Sequence, residues 1–205
     1  VEFYAGLLGM RLVKKTVNQD DTTAYHLFYG DEQGSAGFDL TFFEYPGSRE
    51  GRAGAGMIHR ILWRVGSSES LDYWAGRLGD AGVETVRSND ENASFYGVGP
   101  TGDGDTLLFQ DPEGLTHEIL VYDGPDAPLI PAHSEVPAEH ALQGFHGARA
   151  FSGNPEVTRQ VLGMVLGFED EGDDRWLLTG EAGDGFEPRS GFYFLDEPPE
   201  ERAVP

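Results

Sequence analysis

Apolar residues recur at helical spacing in Phe3-Tyr4-Ala5-Gly6-Leu7-Leu8-Gly9-Met10, and the same pattern returns twice. It reappears as Tyr73-Trp74-Ala75-Gly76-Arg77-Leu78-Gly79-Asp80 and, more loosely, as Val157 to Met164. The intervals exceed the roughly 20 to 50 residues of solenoid arrays, so each copy predicts a supersecondary unit that pairs with another to close a core. Alternating or continuous apolar runs follow each helix, as in Tyr25-His26-Leu27-Phe28-Tyr29 and Phe38 to Tyr45. The second unit predicts a strand over 57–65, a helix over 69–81, and strands over 83–87, 105–110 and 115–122, the last after the turn Asp111-Pro112-Glu113-Gly114. The third predicts a strand over 144–152, a helix over 155–166 with Asn154 as N-cap and Pro155 at its first position, then strands near 175–180 and 190–196.

The units predict an α+β fold of repeated βαβββ modules pairing into cupped eight-stranded sheets. Their boundaries are 1–50 for a first unit lacking its first strand, 55–122 for the second and 142–197 for the third. Residues 123–141 carry four prolines without periodicity and read as a linker, in which His133 and His140 are expected to be solvated. Copies two and three each follow a strand-like run, whereas copy one opens the chain, so the expectation is an incomplete N-terminus. A second Pro-rich stretch, Glu197 to Pro205, closes the sequence.

Composition narrows the chemistry. With no cysteine there are no disulfides or thiolate metal sites, leaving His, Asp and Glu as the strong ligand types. The 36 acidic and 14 basic residues give a formal net charge of -22, which argues against nucleic acid as a partner and reads as halophilic adaptation, an ordinary acidic protein being the alternative. No apolar run reaches the ~18 residues of a membrane span and no signal-peptide pattern opens the chain, so the expected setting is cytoplasmic, without a membrane partner. No phosphate-binding glycine loop or Gly-x-Ser-x-Gly elbow occurs. Gly99 to Asp105 lacks calcium-loop spacing and reads as a hairpin turn.

Several segments together resemble the vicinal oxygen chelate superfamily of glyoxalases, bleomycin-resistance proteins and extradiol dioxygenases. They are Leu7-Leu8-Gly9-Met10-x-Leu12-Val13-Lys14-Lys15, Tyr25 to Asp31, Leu40 to Phe43 and Asp111 to Gly114. The run Leu12 to Asn18 with Tyr25-His26-Leu27-Phe28-Tyr29-Gly30-Asp31 is similar to the hydroquinone-type ring-cleaving dioxygenase branch. That resemblance implies four units, of which the fourth is absent here. It also implies an iron(II) site of two histidines and a carboxylate, with open positions for an aromatic diol and dioxygen. The implied ligands belong to the first strand of unit one and to unit four, so this chain is expected to hold no iron, to have no catalytic residue of its own and to be inactive alone. Tyr25, His26 and Phe42 remain as wall candidates that are more often strand packing. The alternatives are a glyoxalase-like isomerase or lyase, and a metal-free protein that binds an aromatic ligand. Oligomeric state is open, a homo-oligomer included.

Strand parity on the family pattern decides what the two inner units offer. Alignment on Val65 puts His59 at a non-ligand position and Arg60 at the ligand position, and unit three carries His146 and Gly147 correspondingly. His59, Ile61, Trp63 and Val65 then share the helix-packed face, with Arg60, Leu62 and Arg64 opposite. Glu118 falls at the family's carboxylate position, with His117 on the other face. The leading expectation is a charge-assisted Arg60–Glu118 pair in place of a metal, with Arg64 or Arg149 assisting. Glu118 facing water or a backbone donor, and a metal site of His59, His146 and Glu118, are the other readings. Units two and three are expected to form a closed eight-stranded core, with unit one left partly open.

Overall fold

The computed structural model describes residues 1–45, 47–49, 51–90, 93–181 and 187–199; residues 200–205 of the closing Pro-rich stretch lie outside the described residues. In chain order the strands are β1 (Arg11–Val17), β2 (Tyr25–Gly30), β3 (Leu40–Glu44), β4 (Ile58–Val65), β5 (Thr85–Arg87), β6 (Thr106–Gln110), β7 (Thr116–Val121), β8 (Phe145–Phe151), β9 (Glu169–Asp170), β10 (Arg175–Thr179) and β11 (Ser190–Asp196). Helix α1 spans Ser68–Asp80 and α2 spans Pro155–Gln160. Strands β1–β3 form one antiparallel sheet. The remaining eight form a second, in the order β5-β6-β7-β4-β8-β11-β10-β9. That sheet is open rather than closed, because β5 and β9 are its two edges.

Within the large sheet, β4 and β8 lie side by side and antiparallel, while β7 and β11 run parallel to them on either flank. Apolar alternation explains the layers. Ile61, Trp63, Val65, Leu107, Phe109 and Ile119 meet Leu71, Trp74 and Leu78 of α1 in the principal core, and Tyr4 and Leu8 of the first helical segment, Leu27 and Tyr29 of β2, and Phe38 join it. On the opposite, concave face Leu62, Leu120 and Phe194 form a small cluster with Tyr122 and Phe192.

Two histidines stitch these layers. Trp63 Nε1, which can only donate, bonds His117 Nδ1 at 2.9 Å, so the ring proton of a neutral His117 is on Nε2, which faces Tyr4 Oη at 3.3 Å. Tyr4 in turn donates to Asp111 Oδ2 at 2.5 Å, tying the first helical segment to the turn between β6 and β7. Full burial drives the His117 pKa down to about 3. His140 is not solvated as expected: it stacks on Tyr73 with centroids 4.6 Å apart, and its Nδ1 lies 3.2 Å from Ser70 Oγ. His133 is exposed. The 123–141 segment likewise packs down, burying Val136 and Ala141, with Leu129 and Ile130 half-buried against the same core.

The helices refine the repeat. Asn154 caps α2 by accepting from Val157 N at 3.3 Å, with Pro155 in the first turn. The helix then widens into a π turn over Val161–Val165, closed by Leu166 N to Val161 O at 3.0 Å. Unit one does the same over Glu2–Leu7, with Leu8 N to Phe3 O at 2.9 Å. Each π turn ends at a left-handed glycine, Gly9 (φ 72) and Gly167 (φ 75), and a strand follows. The third copy is thus Val161 to Phe168, four residues later than its looser sequence match, and this offset conceals the two-residue strand β9.

Candidate functional site

On the concave face, the bonds of β4 to β8 skip one residue twice. Ile58 pairs with Ala150 and Arg60 with Arg149, leaving His59 as an extra residue; Leu62 pairs with Gly147 and Trp63 with Phe145, leaving His146 extra. A bulge breaks the two-residue alternation, so both rings turn toward the concave face. This corrects the expectation that His59 faces the helices. The fully buried His59 ring stacks on Phe151, with centroids 3.9 Å apart, and its Nε2 lies 2.9 Å from Asp196 Oδ2. His146 stacks on Phe192 at 4.7 Å.

Arg60 and Glu118 are both wholly buried and share the concave face, with Arg60 Nη1 donating to Glu118 Oε2 at 2.9 Å. Arg60 also donates to the carbonyls of Val98 and Gly99, each at 2.8 Å. Glu118 accepts from Thr101 N at 2.7 Å and from Thr101 Oγ1 at 2.8 Å. The segment expected to be a plain hairpin turn is therefore fastened over the cup floor by both members of the ion pair. Arg149 extends the network, donating to Thr101 Oγ1 at 3.1 Å and bidentately to Asp196 at 2.7 and 2.9 Å.

The charges follow from this geometry. Burial alone would raise the Asp196 carboxyl, but hydrogen bonds from His59 and Arg149 outweigh it and hold the pKa at about 2. Burial lowers the His59 pKa more than the bond to and charge of Asp196 raise it. Arg64, the other assisting candidate, turns away from Glu118: it bonds Asp126 Oδ2 at 2.6 Å and Ser190 O at 2.8 Å. The Asp126 carboxyl is held at about 2 because the bonds from Arg64 and Ser190 exceed its desolvation.

A metal does not fit here. Arg60 directs a guanidinium at the carboxylate a cation would need, and Phe194 stands on the partner strand beside Arg149. Gly147 offers no ligand and no room for one, since a Cβ there would lie 2.1 Å from Phe192 O. His59, His146 and Glu118 are not brought to one point: they engage Asp196, Phe192 and Arg60 respectively. Among the described residues, no group of three or more His, Asp and Glu could hold a metal ion.

In the N-terminal sheet the wall candidates separate. Phe42 packs into the core 4.5 Å from the Tyr4 ring, and Tyr25 is exposed with Lys15 Nζ 3.7 Å over it. His26 is stacked between Phe28 at 4.0 Å and Phe43 at 4.1 Å, and its Nε2 is buried with no partner among the described residues. Phe28, Phe43, Thr101 and Asp196 were not singled out from the sequence. Gly147, inside a strand, is a readable signal of close backbone approach or a bulge, but nothing local marks the bulge at His59.

The sequence profile of the Glyoxalase/Bleomycin resistance protein/Dioxygenase superfamily matches residues 1–119. The Bacillus subtilis (strain 168) proteins named "Putative ring-cleaving dioxygenase MhqA" and "Putative ring-cleaving dioxygenase MhqO" are 35% and 32% identical, each over 89% of this chain. The match spans 58% and 55% of their own lengths, little more than half. A crystal structure of a putative dioxygenase from Bacillus subtilis subsp. subtilis str. 168 superposes with TM-score 0.78 at 33% identity, covering 99% of this chain and 60% of that one. Glyoxalase I from Zea mays shares the fold alone, with TM-score 0.60 at 15% identity over 95% of this chain and 60% of its own. No helix among the described residues is long and apolar enough to cross a membrane. With its βαβββ repeats, its paired first strands and these relatives, the chain belongs to the glyoxalase, bleomycin resistance protein and dioxygenase superfamily.

Proposed function

We propose that these 205 residues belong to an iron(II)-dependent dioxygenase that cleaves hydroquinone or catechol-type rings, using dioxygen as co-substrate. The observation that carries this reading is identity of 32 to 35% to ring-cleaving dioxygenase relatives along most of the chain, on a common fold. Within it, the cup formed by β4, β7, β8 and β11 is a structural half, its carboxylate spent on Arg60 and on the Val98–Thr101 loop. The open face of the N-terminal sheet carries the His26–Phe28–Phe43 stack and would form one wall of the substrate cup. Iron ligands would come from the part of the longer relatives that lies outside the match to these 205 residues. The net charge of -22 fits a salt-rich cytoplasm, with a melting midpoint that rises with potassium chloride.

The test is a chimaera in which these residues replace the matched part of the Bacillus MhqA relative. After anaerobic iron(II) loading it should consume oxygen with a hydroquinone and open the ring. A folded, iron-loaded chimaera without ring cleavage overturns the reading. The 205-residue chain alone should show no turnover, and rapid uptake by it would refute the assignment of the ligands to other sequence.

A further inference from the structure

At the His146 end of the cup, cations gather against the trend of the chain. Arg64 lies 3.8 Å over the Tyr122 ring and Arg175 lies 4.3 Å over Phe192. His146 lies between those two rings, stacked 4.7 Å from Phe192 and edge-on 6.1 Å from Tyr122. The result is a ladder of guanidinium, phenol, imidazole, phenyl and guanidinium. Arg189 approaches from the side, donating to the carbonyls of Ala127 and Gln143 at 2.8 and 2.6 Å. Among the described residues two carboxylates answer these three arginines: Asp126 takes Arg64, and Glu171 takes Arg175 Nε at 2.9 Å. A local excess of positive charge therefore exists in a chain of formal charge -22.

Hydrogen bonding at this end is also incomplete. His146 Nδ1, Arg64 Nε and Arg189 Nε are buried without a partner among the described residues. A buried polar atom left unpaired is costly, so several in one cluster imply a partner that is not among the described residues. Burial, with Arg64 and Arg175 beside it, holds His146 neutral down to about 3, so the ring has a single N–H to place. The floor between the two ends is filled by Leu62, Leu120 and Phe194.

We propose that this end of the cup binds a small inorganic anion, with His146 Nδ1–H as its donor and Arg64, Arg175 and Arg189 as the positive charge around it. The anion supplies the missing acceptor and balances the local charge, and the inference is independent of the ring-cleavage reading. Chloride is the probe. As potassium chloride replaces potassium glutamate at constant ionic strength, chlorine NMR of the 205-residue chain should show saturable line broadening. Ring-nitrogen signals of His146 should move over the same range toward the Nδ1–H tautomer. His146→Phe should abolish the saturable component, and Arg175→Gln, at a half-exposed side chain, should weaken binding about threefold. Should His146→Phe fail to fold, the His146 ring signals and Arg175→Gln decide the matter on folded protein. Broadening that rises linearly, ring signals that do not move, or saturation unchanged by Arg175→Gln overturns the proposal.

Discussion

The two ends of the concave face begin from the same device and finish differently. Each of the two central strands bulges at a histidine, and each bulge turns an imidazole inward. At the His59 end the ring meets Asp196, and that carboxylate belongs to a continuous network through Arg149, Thr101, Glu118 and Arg60. At the His146 end the ring meets aromatic faces and three arginines, and its buried nitrogen finds no partner among the described residues. A bulge thus fixes where a side chain points, while the flanking parallel strand decides what it finds there. Asp196 lies at the end of β11 near His59, and Phe192 near its start beside His146.

The largest expected effect lies at the closed end. Glu118→Ala leaves the Arg60 guanidinium buried and unpaired and should cost about 3–5 kcal/mol in chemical denaturation. Replacing both members with Arg60→Met and Glu118→Leu should recover most of that loss. If the single change costs under about 1 kcal/mol, the network is not what closes this half.

Gly147→Ala probes the strand contact behind His146. Its Cβ would meet backbone atoms of Phe192 rather than a yielding side chain, so β8 and β11 must separate. A loss of about 3 kcal/mol is expected, read as a lower denaturation midpoint at unchanged slope.

Acid should act on both ends, in sequence. His117 and His146 stay neutral in the fold to about 3 but protonate near 6.5 when unfolded. Stability therefore falls as pH drops below about 6.5, by about 2 kcal/mol per histidine at pH 5. Asp196, depressed in the fold, contributes stability above its unfolded pKa of 3.8 that is lost as pH falls through about 2. Melting midpoints of the parent and of Asp196→Asn should therefore converge in that acid window. Parallel curves would show that Asp196 is not held by His59 and Arg149.

The smallest effect concerns salt. Buried pairs are little screened, so the cost of Glu118→Ala should change by less than about 0.5 kcal/mol between 0.1 and 1 M potassium chloride. A cost that collapses in high salt would mean water reaches the pair and the Val98–Thr101 loop opens.

Periodicity and turn residues were sufficient for the element order apart from β1 and β9, since helix and strand spacing, the Asp111–Gly114 turn and the Asn154-Pro155 cap are local signals. Parity was sufficient to put Arg60 and Glu118 on one face, because no bulge lies between Arg60 and Leu62 and the two strands are paired directly there. The positions of His59 and His146 were decided elsewhere. Only the antiparallel seating of β4 on β8, which must also accommodate Trp63 against Phe145 at 4.7 Å, forces the extra residue into each strand. Likewise Asp196 and Thr101 enter the site from 137 and 17 residues away in sequence from the groups they bind. A strand's alternation is written in its own residues, but its interruptions and its neighbours are properties of the sheet that two strands make together.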